Sequence, residues 1–155
     1  MKNNILVIGL GYVGLPLALS LSKYYNVYGF DKSIKRINDL KKGQDYNKET
    51  LKKEIKKSNI KLLSNEKDIN NQINVFIVTV PTPVNIKNKP DIRNLISACK
   101  LISKKVKKDD LIIIESTVAP STTENICLNL ISNNSKIKKK RFEHLFFPRT
   151  YKSRK

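Results

Sequence analysis

An α/β architecture, a doubly wound parallel sheet, is the fold class this sequence predicts, and three observations predict it. Short runs of almost wholly apolar residues recur along the 155-residue chain, separated by stretches with helical spacing. The runs are rich in Val and Ile and lack polar alternation, so each reads as a strand covered on both faces. A glycine-rich turn joins the first run to the first helical stretch. Strands alternating with helices imply parallel pairing through crossovers.

The elements follow in order. Asn4–Ile8 is an apolar run bounded by Gly9 and reads as the first strand. Tyr12–Tyr25 has helical spacing, with Val13, Leu17, Leu21 and Tyr24 expected on one face. Val27–Phe30 is a second strand that ends at Asp31. Ile34–Lys42 reads as a short helix stopped by Gly43, and Lys48–Lys57 as a polar, lysine-rich one. Ile60–Leu63 is a short strand, and Asn74–Val80 a β-branched one closed by Pro81-Thr82-Pro83. Asp91 is placed to cap a helix to about Lys105, with Leu95, Ile96, Cys99 and Ile102 inward. Leu111–Ile114 is a further buried strand, and Ser121-Thr122-Thr123-Glu124 fits a capping box for a helix through about Ile131. Beyond Asn133 the pattern fails. The expected organisation is one doubly wound α/β domain over 1–132 and a basic tail over 133–155. A late strand is expected to be missing or scrambled, leaving an exposed sheet edge.

Composition narrows the function classes. Hydrophobic residues make up 39% of the chain, ordinary for a globular domain. No apolar run approaches the ~20 residues of a membrane span. Lys2 ahead of Ile5–Ile8 imitates a signal peptide, but Gly9-Leu10-Gly11 follows without a small-residue cleavage site, so a cytoplasmic protein is expected. Cys99 and Cys127 form no CxxC pair, and the single histidine, His144, cannot complete a metal site with them. Neither cysteine stands beside a candidate base. The net charge of +18 raises a nucleic-acid reading. However, Lys136–Lys155 alone holds nine basic residues against one acidic. The other lysines are scattered along helical stretches rather than interleaved with aromatics. A solvated basic surface is expected, with no specific nucleic-acid partner.

Gly9-Leu10-Gly11-Tyr12-Val13-Gly14 fits G-x-G-x-x-G, following a strand and opening a helix, which is the context that gives the pattern meaning. Gly9 permits the tight turn, Gly11 lets a pyrophosphate approach the backbone, and Gly14 lets the helix pack on the strand. The helix N-terminus offers N–H groups to phosphates. Asp31 stands about 20 residues on, where a carboxylate bonds the 2′-hydroxyl of NAD and repels the 2′-phosphate of NADP. Lys32 and Arg36 nearby temper that preference. NAD is therefore the expected cofactor of a Rossmann-like sheet. The bland alternative is a glycine turn with no ligand.

Two further strand ends stand out, because ligands of open α/β sheets bind beyond the carboxyl ends of the strands. Val78-Thr79-Val80-Pro81-Thr82-Pro83 and Glu115-Ser116-Thr117-Val118 place hydroxyls and prolines there. Those hydroxyls can bond a nicotinamide ribose, hold a water or meet a substrate. Ser, Thr and Pro are also common turn residues, so plain turn chemistry is equally open.

Together these segments are specific. Gly9–Ala18, Val80–Pro83, Lys89–Asp91 and Glu115–Val118 resemble the UDP-glucose/GDP-mannose dehydrogenase family. The Gly9–Ala18 stretch and Asn88-Lys89-Pro90-Asp91 look most like its branch acting on UDP-N-acetylhexosamines in surface polysaccharide synthesis. The resemblance covers about Lys2 to Leu130. It implies oxidation of a carbon-six alcohol of a nucleotide sugar to a carboxylate with two NAD. A cysteine captures the intermediate aldehyde as a thiohemiacetal. It also implies that Gly9, Gly11, Tyr12, Val13, Gly14, Asp31 and Arg36 hold the adenosine half of NAD. Val78, Thr79, Val80, Pro81 and Thr82, with Ser116, Thr117 and Val118, would line the nicotinamide side. Thr117 matches the threonine that helps position the catalytic water.

The chain also departs from that family. The resemblance implies a central dimerising region and a second α/β domain that binds UDP, carrying the nucleophilic cysteine with its lysine and aspartate partners. Cys99 and Cys127 match neither that cysteine's position nor its surroundings. Where the family carries Ser-Pro-Glu-Arg-Ile-Asn-Pro-Gly, this chain reads Phe147-Pro148-Arg149-Thr150-Tyr151-Lys152-Ser153-Arg154. Codons for that stretch exist that, read one base later, encode Ser-Pro-Glu-Arg-Ile-Asn-Pro and the start of a Gly. A frameshift upstream of Phe147, in the A-rich codons of Lys138-Lys139-Lys140, is the expectation. The alternative is a genuine basic tail, and the gene's 3′ sequence decides between them.

Three readings of function follow. The first is the NAD-binding part of a UDP-sugar dehydrogenase, incomplete by itself. The second is another NAD-linked dehydrogenase sharing only the Rossmann half, against which Val80–Pro83 and Glu115–Val118 speak. The third is a basic nucleic-acid-binding module, which predicts salt-sensitive DNA or RNA binding.

Overall fold

The computed structural model describes residues 3–47, 50–83, 90–116, 122–135 and 145–146. Its strands are β1 (Asn4–Ile8), β2 (Asn26–Phe30), β3 (Lys61–Leu63), β4 (Val75–Val78), β5 (Leu111–Ile114) and β6 (Leu145–Phe146). Its helices are α1 (Gly14–Leu21), α2 (Ile34–Lys41), α3 (Lys52–Lys57), α4 (Arg93–Ser103) and α5 (Thr122–Asn134). All strands pair in parallel, in the order β3-β2-β1-β4-β5-β6. That is the order of a doubly wound dinucleotide-binding sheet, with its topological switch between β1 and β4.

The pleat divides each strand between two cores. Leu6 and Ile8 of β1, Tyr28 and Phe30 of β2, and Phe76 and Val78 of β4 pack against α4 and α5. Ile5, Val7, Val27, Val75 and Ile77 pack on the other face against α1, α2 and α3. Period-two alternation sends neighbouring side chains to opposite faces, so runs covered on both faces are apolar throughout. Each large side chain removed from water in this way, such as Leu6, Phe76 or Ile112, contributes ~1.5–3 kcal/mol.

The structure corrects several expectations. The face of α1 that packs on the sheet is Gly14, Leu15, Ala18 and Leu19, whereas Val13 and Tyr24 are exposed. The cause is Gly14: the close contact it permits with the Gly9 carbonyl, just past β1, fixes the rotation of the helix, which the apolar pattern alone does not. Asp91 lies one residue before the N-cap, Ile92, yet its Oδ1 still accepts from the Arg93 N–H at 3.1 Å. In α4, Ala98 is buried where Ile96 is only half-buried. The lysine-rich helix is short, starting at Lys52. The sheet does not lack its late strand: β6 pairs with Ile112 and Ile113 of β5. Two residues are too few to show a strand period. The capping role of Ser121, the codons of 138–140 and the motif at 147–154 on which the altered reading frame rests concern residues outside those described.

Candidate functional site: the crevice beyond β1, β2 and β4

The site grows from the turn after β1. Gly9 has φ +95°, a left-handed conformation that an L side chain rarely adopts. Its N–H donates to Phe30 O at 2.8 Å. The N–H of Leu10 donates to Asp31 Oδ2 at 3.0 Å, and the carbonyl of Leu10 accepts from Arg36 Nε at 2.8 Å. The end of β2 and the start of α2 therefore pin the turn from one side. Thr79 pins it from the other. Its Oγ1 lies 2.7 Å from Gly9 O and 3.1 Å from Ile8 O, so its single proton goes to the nearer carbonyl.

The two remaining glycines do different things. A Cβ on Gly14 would stand 1.8 Å from Gly9 O and 2.5 Å from Thr79 Oγ1, so this glycine is required by packing. A Cβ on Gly11 would meet nothing within 4 Å, so packing does not require this one. The space beside it is open. Tyr12 and Val13 lead exposed into α1, whose N-cap residue is Val13. No side chain caps α1 and no acid stands in its first turn, which leaves the N–H groups at its head for a ligand.

A crevice of about 380 Å³ opens at this point, lined by Gly9, Gly11, Asp31, Lys32, Val80, Pro81 and, from α4, Asn94, Ser97, Ala98 and Leu101. It sits beyond the carboxyl end of β1, at the switch point where such sheets bind ligands. Asp31 faces it. Its Oδ1 accepts from Ser33 N at 2.9 Å as its Oδ2 accepts from Leu10 N. Each carboxylate oxygen retains a lone pair for a ribose hydroxyl.

The structure distributes the other sequence-predicted residues unevenly. Val80 and Pro81 line the crevice, and Thr82 follows them half-buried. Val78 is fully buried, its carbonyl accepting from Glu115 N at 2.8 Å. Thr79 is turned onto the glycine turn, as above. Ser116 Oγ donates to Val80 O at 2.8 Å and latches the end of β5 to that of β4. Arg36 lies behind the turn, 2% exposed, with Nη1 2.7 Å from Asp45 Oδ1 and its guanidinium 4.2 Å from the centre of the Tyr46 ring. The Nη1–Asp45 contact is an ion pair without hydrogen-bond alignment. Thr117 and Val118 are outside the described residues. Tyr46, Glu66 and the α4 face reach the crevice without having stood out in the sequence. Only the position of α4 after β4 could have signalled that face.

Thr79 gives a direct test of this frame. Thr79→Val keeps the shape and removes the hydroxyl, leaving Gly9 O without its donor. It is expected to cost ~1–2 kcal/mol in urea unfolding and to weaken nucleotide binding as the turn loosens. An unchanged unfolding midpoint would show that the hydroxyl does not hold the turn.

The cysteines belong to the core. Cys99 and Cys127 are free and fully buried between α4 and α5. The hydrogen bond with Cys127, together with burial, pushes the Cys99 thiol well above the ordinary range, so it stays protonated and unreactive. Among the described residues no three His, Cys, Asp or Glu side chains group to hold a metal. Nor is any helix among them long and apolar enough to cross a membrane.

A parallel sheet of this order, with a pinned glycine turn and an acid at the end of the second strand, defines a dinucleotide-binding domain. Residues 3–149 match the model of the UDP-glucose/GDP-mannose dehydrogenase family, NAD binding domain, and the chain belongs to that family. It is 40% identical over 131 residues to a UDP-N-acetyl-D-glucosamine 6-dehydrogenase of Salmonella typhi, covering 84% of this chain and 31% of that protein. A protein of the same name from Pseudomonas aeruginosa is 42% identical over 142 residues, covering 91% and 33%. A solved UDP-D-ManNAc dehydrogenase from Pyrococcus horikoshii superposes with a TM-score of 0.81 at 29% identity, over 93% of this chain and 35% of that one. The chain thus spans about a third of the length of the relatives it matches.

Proposed function

We propose that this chain carries the NAD site of a dehydrogenase that oxidises the carbon-six alcohol of a UDP-N-acetylhexosamine. The observation that carries the cofactor reading is the open space at Gly11, framed by a turn whose neighbouring polar groups are already paired. The residues fit a dinucleotide. The backbone from Gly9 to Gly14 would face the pyrophosphate, with Tyr12 and Val13 at its rim. Asp31 would accept from the adenosine ribose, and Arg36 would act from behind by holding Leu10. The apolar walls of Val80, Pro81, Ala98 and Leu101 suit a flat base. Thr82 and Ser116 follow strand ends β4 and β5, the side left for the nicotinamide, and Thr117 and Val118, next in sequence, are assigned to the same role. Val78 and Thr79 support that wall. Bound NAD supplies the hydride acceptor; what this chain supplies is orientation. Thr117 is assigned to positioning the water that releases the acid.

The sugar class rests on the names of the two 6-dehydrogenases above, and the UDP-sugar partner comes with it. The reading also places the protein in the cytoplasm, which suits its two free thiols. The nucleophilic thiol is assigned to protein outside these 155 residues, because both cysteines here are buried in the core.

Calorimetric titration tests this. NAD is expected to bind the 155-residue polypeptide saturably, more tightly than NADP, and without competition from duplex DNA. With NAD and a UDP-N-acetylhexosamine, the polypeptide is expected to produce no NADH absorbance at 340 nm. Turnover would place the whole reaction within these residues and overturn the division of labour.

A further inference from the structure

We infer that Asn94 sets the preference for NAD over NADP, by holding the Lys32 ammonium away from the adenosine ribose. The inference rests on the reading of the crevice as an NAD site. Lys32 follows Asp31 directly, and its Nζ donates to Asn94 Oδ1 at 2.6 Å. The other end of the same amide donates, through Nδ2, to Pro81 O at 3.2 Å. Strands β2 and β4 flank β1, so this chain of hydrogen bonds crosses the crevice above the end of β1. It joins the end of β2 to the segment after β4 and the head of α4. Lys32, Asn94 and Pro81 all line the crevice.

Lys32 is the one cation among the described residues lining that space. The crevice's second acid, Glu66, is engaged by Lys104 at 3.0 Å, and Arg36 is buried against Asp45. Among the described residues, the charge of Lys32 is therefore the one in the crevice that can answer a phosphate beside Asp31, and it is drawn toward α4 instead. The carboxyl of Asp91, at the head of α4, is held down to about 2, first by its hydrogen bonds from Arg93 and least by the charge of Lys32.

The consequence is chemical. A 2′-hydroxyl meets Asp31 as an acceptor, whereas a 2′-phosphate meets it as a like charge. Asn94 keeps the lysine from offsetting that repulsion. Without the amide, the flexible stem of Lys32 can return toward Asp31 and pair with the phosphate. Asn94 is thus a positioning residue for specificity, acting through Lys32.

The test is a four-way cycle of NAD and NADP titrations on the 155-residue chain: wild type, Asn94→Ala, Lys32→Met and the double variant. Asn94→Ala is expected to narrow the NAD/NADP affinity ratio about three- to fivefold, the worth of an exposed ion pair. In the Lys32→Met background the same substitution is expected to leave the ratio unchanged. A purely structural role for Asn94 would weaken both nucleotides alike and leave the ratio as it was. That result overturns the inference, as does an equal shift with and without Lys32. A wild type that binds neither nucleotide overturns the underlying site reading instead.

Discussion

Gly14→Ala is expected to destabilise the domain by about 3 kcal/mol or more, in the upper range for a single substitution. The added methyl would stand 1.8 Å from a backbone carbonyl, that of Gly9, and 2.5 Å from the hydroxyl that holds the carbonyl in place. Neither neighbour is the free end of a flexible side chain. To admit the methyl, α1 must lift off β1, which pulls Leu15, Ala18 and Leu19 from the core they share with Val7 and Ile37. Domains of this size hold roughly 5–15 kcal/mol in all, so the loss is a large share. Urea or thermal unfolding reads it. A midpoint within a few degrees of wild type would mean that the helix does not approach the strand as described.

Gly11→Val is expected to do the opposite: leave stability within about 1 kcal/mol and lower NAD affinity at least about tenfold. A Cβ at this position would meet nothing within 4 Å, and the space beside it is open, so the fold gives a small side chain room. It does, however, occupy the space through which a pyrophosphate reaches the backbone at the head of α1. Two glycines three residues apart in one motif thus serve two ends, one packing and one ligand access. Comparing the two variants separates those ends within a single fold.

Much of this was legible in the sequence. The strands could be read because burial on both faces makes each an unbroken apolar run, as in Leu111–Ile114. The glycine turn and Asp31 could be read because their spacing is dictated by one β-α-β unit. What the sequence hid depends on tertiary placement. The inward face of α1 is set by the Gly9–Gly14 contact, which no helical period encodes. Thr79 and Ser116 were visible as hydroxyls at strand ends, but their turn toward Gly9 O and Val80 O depends on neighbouring strands. Asn94 and Tyr46 reach the crevice from elements distant in sequence, and nothing local distinguishes them. β6 was missed because two residues carry no period.

The central claim is that the glycine turn and Asp31 form an NAD site in these 155 residues. Calorimetric titration of NAD into the wild type beside Gly11→Val, each checked for folding by thermal unfolding, tests it most directly. The account predicts saturable binding to the wild type, and weak or no binding to a variant that is equally stable. Equal affinity in the two proteins, or no binding to a folded wild type, would contradict it.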